Sequence, residues 1–193
     1  MDLSTQLGFF TLQYAKLRML SFYYDCVAYF LNRDSFQLVE LDTDSLYMAL
    51  AGDIFEELVC DERRDEYLLE RSKWFPRSHP EQAVAYDKRE PGLFKEEFRG
   101  SRMVCLAAKT YAIDGEHGVK FSCKGANKRS VSNPVETMSN VIKTKESSTV
   151  VNRGIKRRNG ETITYAQKRR AFAFEYFKRK VCNDGVSTLP LDI

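Results

Sequence analysis

The sequence predicts an α+β fold: a long N-terminal helix, then antiparallel strands joined by tight turns, then a mixed C-terminal region. Three observations carry this. Phe10, Tyr14, Leu17, Ser21, Tyr24, Ala28 and Leu31 recur at alternating spacings of four and three, which lines up one helical stripe. From residue 36 onward most apolar runs are short and cut by polar or glycine-bearing turns, as strands are. Asn159-Gly160 sits between two extended-looking runs, the residue pair that a two-residue hairpin turn favours.

Taken in order, residues 5 to about 31 read as helix, with "NRD" at 32–34 ending it. Residues 36–41 and 45–50 read as strands with three residues between them. Residues 53–59 and 61–74 read as helical, and the second segment is strongly charged. "PRSHPEQAVAYDKREPG" at 76–92 carries three prolines and reads as a long loop. Strands are expected at 93–98, 103–107, 110–113 and 119–123. Asn133 as N-cap and Pro134 at the first helical position open a short helix. Residues 165–177 fit helix or strand, and the tail from 184 reads as irregular.

Composition bounds the function. The chain has 193 residues, 43% hydrophobic, enough for a packed core. No apolar stretch approaches bilayer length, and "MDLSTQ" has no basic lead, so an intracellular rather than secreted protein is expected. The five cysteines are odd in number and lack metal-knuckle or redox spacing, so they read as reduced, mostly buried thiols. Charge is divided: residues 1–100 hold 12 Lys and Arg against 19 Asp and Glu, a balance of −7, while residues 101–193 hold 18 against 8, a balance of +10. A basic half fits a polyanionic partner as well as an ordinary solvated surface.

One stretch carries chemistry: "VELDTDSLYMAL" at 39–50. In an extended chain Asp42 and Asp44 project to the same side while Thr43 points away. Val39, Leu41, Leu46, Met48 and Leu50 are expected to anchor the hairpin beneath them. Mg²⁺ takes one or two carboxylates plus substrate phosphates, so a rigid hairpin bearing two acids suits it. An isolated Asp-x-Asp is more often a polar turn. The acids, glycine and glutamate of a calcium loop do not follow.

The wider string decides. "ELDTDSLYMAL" resembles motif C of family B DNA polymerases, where Asp-Thr-Asp-Ser lies on a palm hairpin. "GFFTLQYAKLRML" is similar to the palm helix before that hairpin in the protein-primed branch. "SKWFPR", "YDKREPGLFKEE", "LAAKTYAI", "FSCKGANKR" and "KRKVCNDGVSTLPLDI" resemble the later palm and thumb of Polinton/Maverick and adintovirus-like polymerases. The ordered set covers nearly the whole chain.

The resemblance implies a partial palm over residues 1–125, formed by the long helix and a sheet with the catalytic hairpin, followed by a thumb over 126–193. It implies Asp44 as metal ligand and Asp42 as the neighbouring acid, with Thr43 and Ser45 completing the motif at the DNA. Lys109 and Tyr111 match the Lys-x-Tyr element that contacts primer–template DNA, and on an extended strand they share one face. Lys124 and Gly125 match a lysine–glycine pair near the palm–thumb transition, and Lys128 and Arg129 follow in the same basic string. "IKRRNG", "QKRR" and "FKRK" then grip the duplex backbone, although a nuclear-localisation reading of such clusters is equally open. Tyr165, Phe172, Phe174, Tyr176 and Phe177 lie among these charges as core or as contacts to nucleic acid.

The implied partners are primer–template DNA, deoxynucleoside triphosphates and, in this branch, a terminal-protein primer, with two Mg²⁺ ions. The second metal-binding aspartate (motif A), the triphosphate-facing lysine (motif B) and the exonuclease acids have no counterpart in these 193 residues. The expectation is therefore a C-terminal polymerase portion, inactive alone, with an open edge on its sheet. A non-catalytic DNA-binding protein domesticated from a mobile element and a decayed reading frame are the alternatives.

Overall fold

A computed structural model describes residues 5–175, 179–185 and 187–190. The fold is α+β, with five helices and four small antiparallel sheets among the described residues. It divides into two compact units, Met1–Glu97 and Phe98–Ile193. The expected functional boundary lay after Gly125, whereas the packing boundary lies at Glu97/Phe98.

In the first unit, α1 (Thr5–Ser21) runs into a π-helical stretch, Phe22–Val27, and ends in α2 (Ala28–Phe30). The face that enters the core carries Met19, Phe22, Cys26, Val27 and Phe30. The predicted stripe is largely the wrong one: Phe10, Tyr14, Leu17 and Tyr24 are each more than half exposed, as are Leu7, Phe9 and Leu12. Aromatic and apolar residues surround this helix, so spacing alone did not select a face. The π stretch, with its wider turn, also rotates the following residues off a 3.6-residue stripe.

β1 (Phe36–Asp42) and β2 (Ser45–Leu50) form an isolated antiparallel pair. Phe36, Leu46 and Met48 pack into or against the core, while Val39, Leu41 and Leu50 are exposed, so only two of the five expected anchors serve. Glu40 is buried beside a bulge between Leu38 and Glu40. Single 3₁₀ turns, Phe55–Leu58 and Asp61–Arg63, replace most of the first predicted helix and the start of the second; α3 (Arg64–Trp74) follows. Trp74 is buried against Phe22.

The proline-rich segment contains a helix, α4 (Glu81–Asp87). Pro80 sits at its N-cap position, where a proline costs no hydrogen bond, and "EQAVAYD" is a good helical sequence between the prolines. Residues 93–100 form no strand. Phe94 instead stacks on Phe22 with ring centroids 3.8 Å apart.

The second unit begins with β3 (Arg102–Ala107), β4 (Thr110–Gly115) and β5 (Gly118–Ser122), a sheet in which β4 is central. α5 (Pro134–Thr144) lays Val135, Met138 and Val141 against Val104, Ala112 and Phe172. Asn133 is its N-cap, though its side chain makes no capping hydrogen bond. Arg102 on β3 reaches Glu136 in the first turn at 2.8 Å and holds its carboxyl below the ordinary range. Residues 126–175 thus share a core with the three-stranded sheet, which explains why the packing boundary precedes it.

β6 (Ser148–Arg158) and β7 (Glu161–Phe172) form a long two-stranded ribbon. Asn159 and Gly160 turn it, both with positive φ (50° and 85°), as expected for that pair. The undecided segment is therefore strand to Phe172; Tyr176 and Phe177 lie outside the described residues. The tail contains a short pair, β8 (Arg179–Val181) and β9 (Thr188–Pro190). All five cysteines are free; Cys26 alone is fully buried, its thiol pushed up to about 12 by desolvation, and the others are half-buried. No helix among the described residues is long and apolar enough to cross a membrane.

Candidate nucleic-acid and metal sites

In the first unit the candidate residues occupy the β1–β2 turn. Asp42 pairs with Ser45, so the loop is two residues, Thr43 and Asp44, not three. Thr43 has φ +51°, and the Asp44 N–H donates to the Asp42 carbonyl at 2.6 Å. The chain is not extended here, and the same-face reasoning for Asp42 and Asp44 fails: a left-handed residue intervenes. Asp42 is half-buried at the strand end, Asp44 exposed in the turn, and Thr43 Oγ1 donates to Asp42 Oδ1 at 3.2 Å. Asp42 and Asp44 can supply carboxylate oxygens to a divalent cation. No group of three or more His, Cys, Asp or Glu is placed to hold a metal among the described residues. Mg²⁺ accepts so few protein ligands only when substrate phosphates or waters complete its shell. The donor set thus fits part of a Mg²⁺ site rather than a whole one.

In the second unit the β3–β4 turn is Ala108 and Lys109, with Ala107 paired to Thr110. Lys109 is exposed at φ +63°, whereas Tyr111 is buried in β4 between Cys105 and Ser122. The two therefore do not share a strand face; one is at a turn and the other in the sheet interior. Lys109 keeps a phosphate-accessible position. A buried Tyr111 ring serves packing first.

Lys124, Gly125, Lys128 and Arg129 do come together, on one exposed loop running from β5 to the 3₁₀ turn Lys128–Ser130. Gly125 has φ +84°, and no atom lies within 4 Å of where a Cβ would stand. The backbone conformation alone accounts for glycine there. Sequence reasoning missed Asn152 of β6: its Nδ2 donates to the Gly125 carbonyl at 3.0 Å, and its Oδ1 accepts the Asn127 N–H at 2.8 Å. Ser130 Oγ donates to the Val151 carbonyl at 3.0 Å. These partners lie 21 to 27 residues apart in sequence, so no local pattern signals them.

The ribbon register sorts its charges. Arg153, Arg157, Lys168 and Arg170 share one face with Thr149, Val151, Ile155, Thr162, Thr164 and Ala166, and no acid joins them. The residues of this face are exposed along the whole ribbon. The opposite face carries Lys156, Arg158 and Arg169 together with Glu161. Lys156 lies 5.3 Å from the Tyr165 ring centroid, Arg169 Nε donates to Gln167 at 3.0 Å, and Arg158 stands opposite Glu161 in the ladder, while on the first face Arg170 Nε donates to Ser147 Oγ at 2.7 Å. Glu161 therefore lowers the positive potential of the second face, and no acid does so on the first.

Comparison with protein-family models, curated proteins and solved structures yields no match.

Proposed function

We propose that the chain is the C-terminal portion of a family B, protein-primed DNA polymerase, in which it supplies part of the palm and a thumb-like DNA-binding region. The reaction is template-directed nucleotidyl transfer from deoxynucleoside triphosphates. The observation that carries the reading is the two-residue hairpin with Asp42 and Asp44 at its head, in a chain whose motifs resemble that family in order. When bound, Mg²⁺ would stabilise the charge that develops on the phosphoryl oxygens. Asp44 and Asp42 would hold it. The ribbon cations and Lys109, Lys124, Lys128 and Arg129 would hold duplex phosphates without reading sequence.

Two further features support a portion of a larger assembly. The ligand set is partial, and α1 exposes six large apolar residues, Leu7 to Leu17, that an aqueous surface does not favour. An active site whose parts act as a unit loses orders of magnitude when one is missing. The purified chain should therefore bind primer–template DNA and fail to extend it.

A second reading, a non-catalytic DNA-binding protein domesticated from a mobile element, is favoured by the acid-free ribbon face, which needs no metal. Binding to a recessed 3′ end against a blunt duplex, with and without Mg²⁺, separates the two. A polymerase portion prefers the recessed end with Mg²⁺ and loses that preference in Asp44→Asn. Equal binding to both ends, indifferent to Mg²⁺, supports the second reading; absence of DNA binding rejects both.

A further inference from the structure

We propose that Asn152 is a positioning residue: it clamps the loop 124–130 to β6 so that Lys128 and Arg129 are held together against a nucleic-acid phosphate backbone. The inference rests on the DNA-binding reading above.

Asn152 uses both ends of its side-chain amide on one short stretch of backbone, donating to Gly125 and accepting from Asn127. An amide supplies a donor and an acceptor side by side, which matches that carbonyl and N–H in one orientation only. Asn127 in turn accepts the Arg129 N–H at 3.0 Å and caps the 3₁₀ turn that carries Lys128 and Arg129. Ser130 adds a second tie to β6. Apolar contact does little of this work, since residues 124–130 are exposed except half-buried Ala126. Hydrogen bonds from β6 therefore decide where the loop lies.

What they place together is unfavourable without a partner. The loop 124–130 carries Lys124, Lys128 and Arg129 and no acid, and the ribbon face that bears Asn152 adds Lys156 and Arg169. Like charges gathered on one surface repel, a cost that binding a polyanion reverses. The clamp is also neutral. An aspartate at 152 could accept from Asn127, but it could not donate to Gly125 and would cancel one positive charge beside the loop.

The test is the salt dependence of binding to a blunt DNA duplex by the full chain. Replacing Lys128 and Arg129 by alanine should lower the slope of log K against log salt by about 2, since each phosphate contact contributes roughly 0.9. Asn152→Ala, which removes no charge, should lower the slope by a similar amount. The three changes together should cost no more than either alone. The share due to Arg153 and Lys168, measured by their own replacement in the Asn152→Ala background, should persist, which a general loss of folding would abolish. If Asn152→Ala does not fold, Ser130→Ala, which breaks the second tie, should lower the slope partway. Full additivity of Asn152→Ala with the loop substitutions, or an unchanged slope in the folded variant, overturns the clamp while DNA binding stands. Absent or salt-insensitive binding by the unaltered chain overturns the DNA-binding reading itself, and the clamp with it.

Discussion

The Arg18 guanidinium lies 4.4 Å from the centroid of the Trp74 ring, and its Nε donates to the Gly92 carbonyl at 2.8 Å. Its Nη2 also reaches the carbonyl of Lys73, near the end of α3. One side chain from α1 thus fastens the end of another helix and the segment beyond it. Arg18→Met keeps an apolar stem but removes the hydrogen bonds and the cation–π contact, and should destabilise the first unit by about 2–3 kcal/mol. Trp74 is the only tryptophan, so its fluorescence during urea unfolding reports on this unit. An unchanged midpoint would show that the contact contributes nothing.

Trp74 itself presents an imbalance. Its Nε1 is buried without a hydrogen-bond partner, a state that costs roughly 1–3 kcal/mol. Trp74→Phe removes that unmet donor along with some volume, and the two effects oppose. Stability followed by circular dichroism should fall by no more than about 1 kcal/mol, whereas Trp74→Ala should cost about 3–5 kcal/mol. Equal losses would mean that the indole nitrogen finds a partner in solution.

Arg77 grips Asp87 through its backbone N–H at 2.9 Å, Nε at 2.8 Å and Nη2 at 2.7 Å. The side-chain hydrogen bonds, then the backbone one, hold the buried carboxyl down to about 2 from an ordinary 3.8. In the unfolded chain Asp87 binds its proton first. Its contribution is therefore fully present above pH 3.8 and is lost as pH falls towards 2. Asp87→Asn should flatten the acid limb of first-unit stability in that window and leave the neutral-pH slope unchanged. An acid limb identical in the two proteins would sever Asp87 from acid denaturation.

Much of the fold is legible where the signal is local. Asn159-Gly160 fixes the ribbon turn, Pro134 fixes the start of α5, and short apolar runs cut by turns mark β1 to β5. The misses have physical causes. Prolines at 76, 80 and 91 mask α4 because Pro80 stands at a helix start, where it is tolerated. The exposed stripe of α1 looks like a core stripe because apolar residues lie all round it. At the candidate sites, residue type was legible and geometry was not. An extended chain puts Asp42 with Asp44, and Lys109 with Tyr111, on one face, yet Thr43 and Lys109 adopt left-handed turns. Asn152 acts only through partners distant in sequence.

Gly115 ends β4 where the chain passes under Arg99. A Cβ there would stand 2.6 Å from the Arg99 carbonyl oxygen and 2.7 Å from the Phe98 ring. Backbone cannot step aside as a side-chain tip can. Gly115→Ala should destabilise the second unit by about 1–3 kcal/mol, with the loss read in thermal unfolding by circular dichroism. Gly118→Ala offers a contrast: no atom lies within 4 Å, but φ is +119°, so its cost is conformational rather than steric. Wild-type stability in Gly115→Ala would mean that the Phe98–Arg99 segment relaxes freely.

The ribbon allows a charge-matched comparison of its two faces. Replacing Arg153, Arg157 and Lys168 by glutamine removes three cations from the acid-free face; replacing Lys156, Arg158 and Arg169 removes three from the other. Net charge changes equally, so any effect of overall charge is the same in both. Lys156 beside the Tyr165 ring and Arg169 bonded to Gln167 have less to offer a phosphate, and the acid Glu161 lies on the same face. The first set should lower the slope of log K against log salt for duplex binding by about 3, and the second by roughly 1 or less. Neither set replaces the turn residues Asn159 and Gly160, so the hairpin should persist in each variant. Equal losses from the two sets would mean that the duplex responds to total charge. A larger loss from the second set would place the nucleic acid on the Tyr165 face.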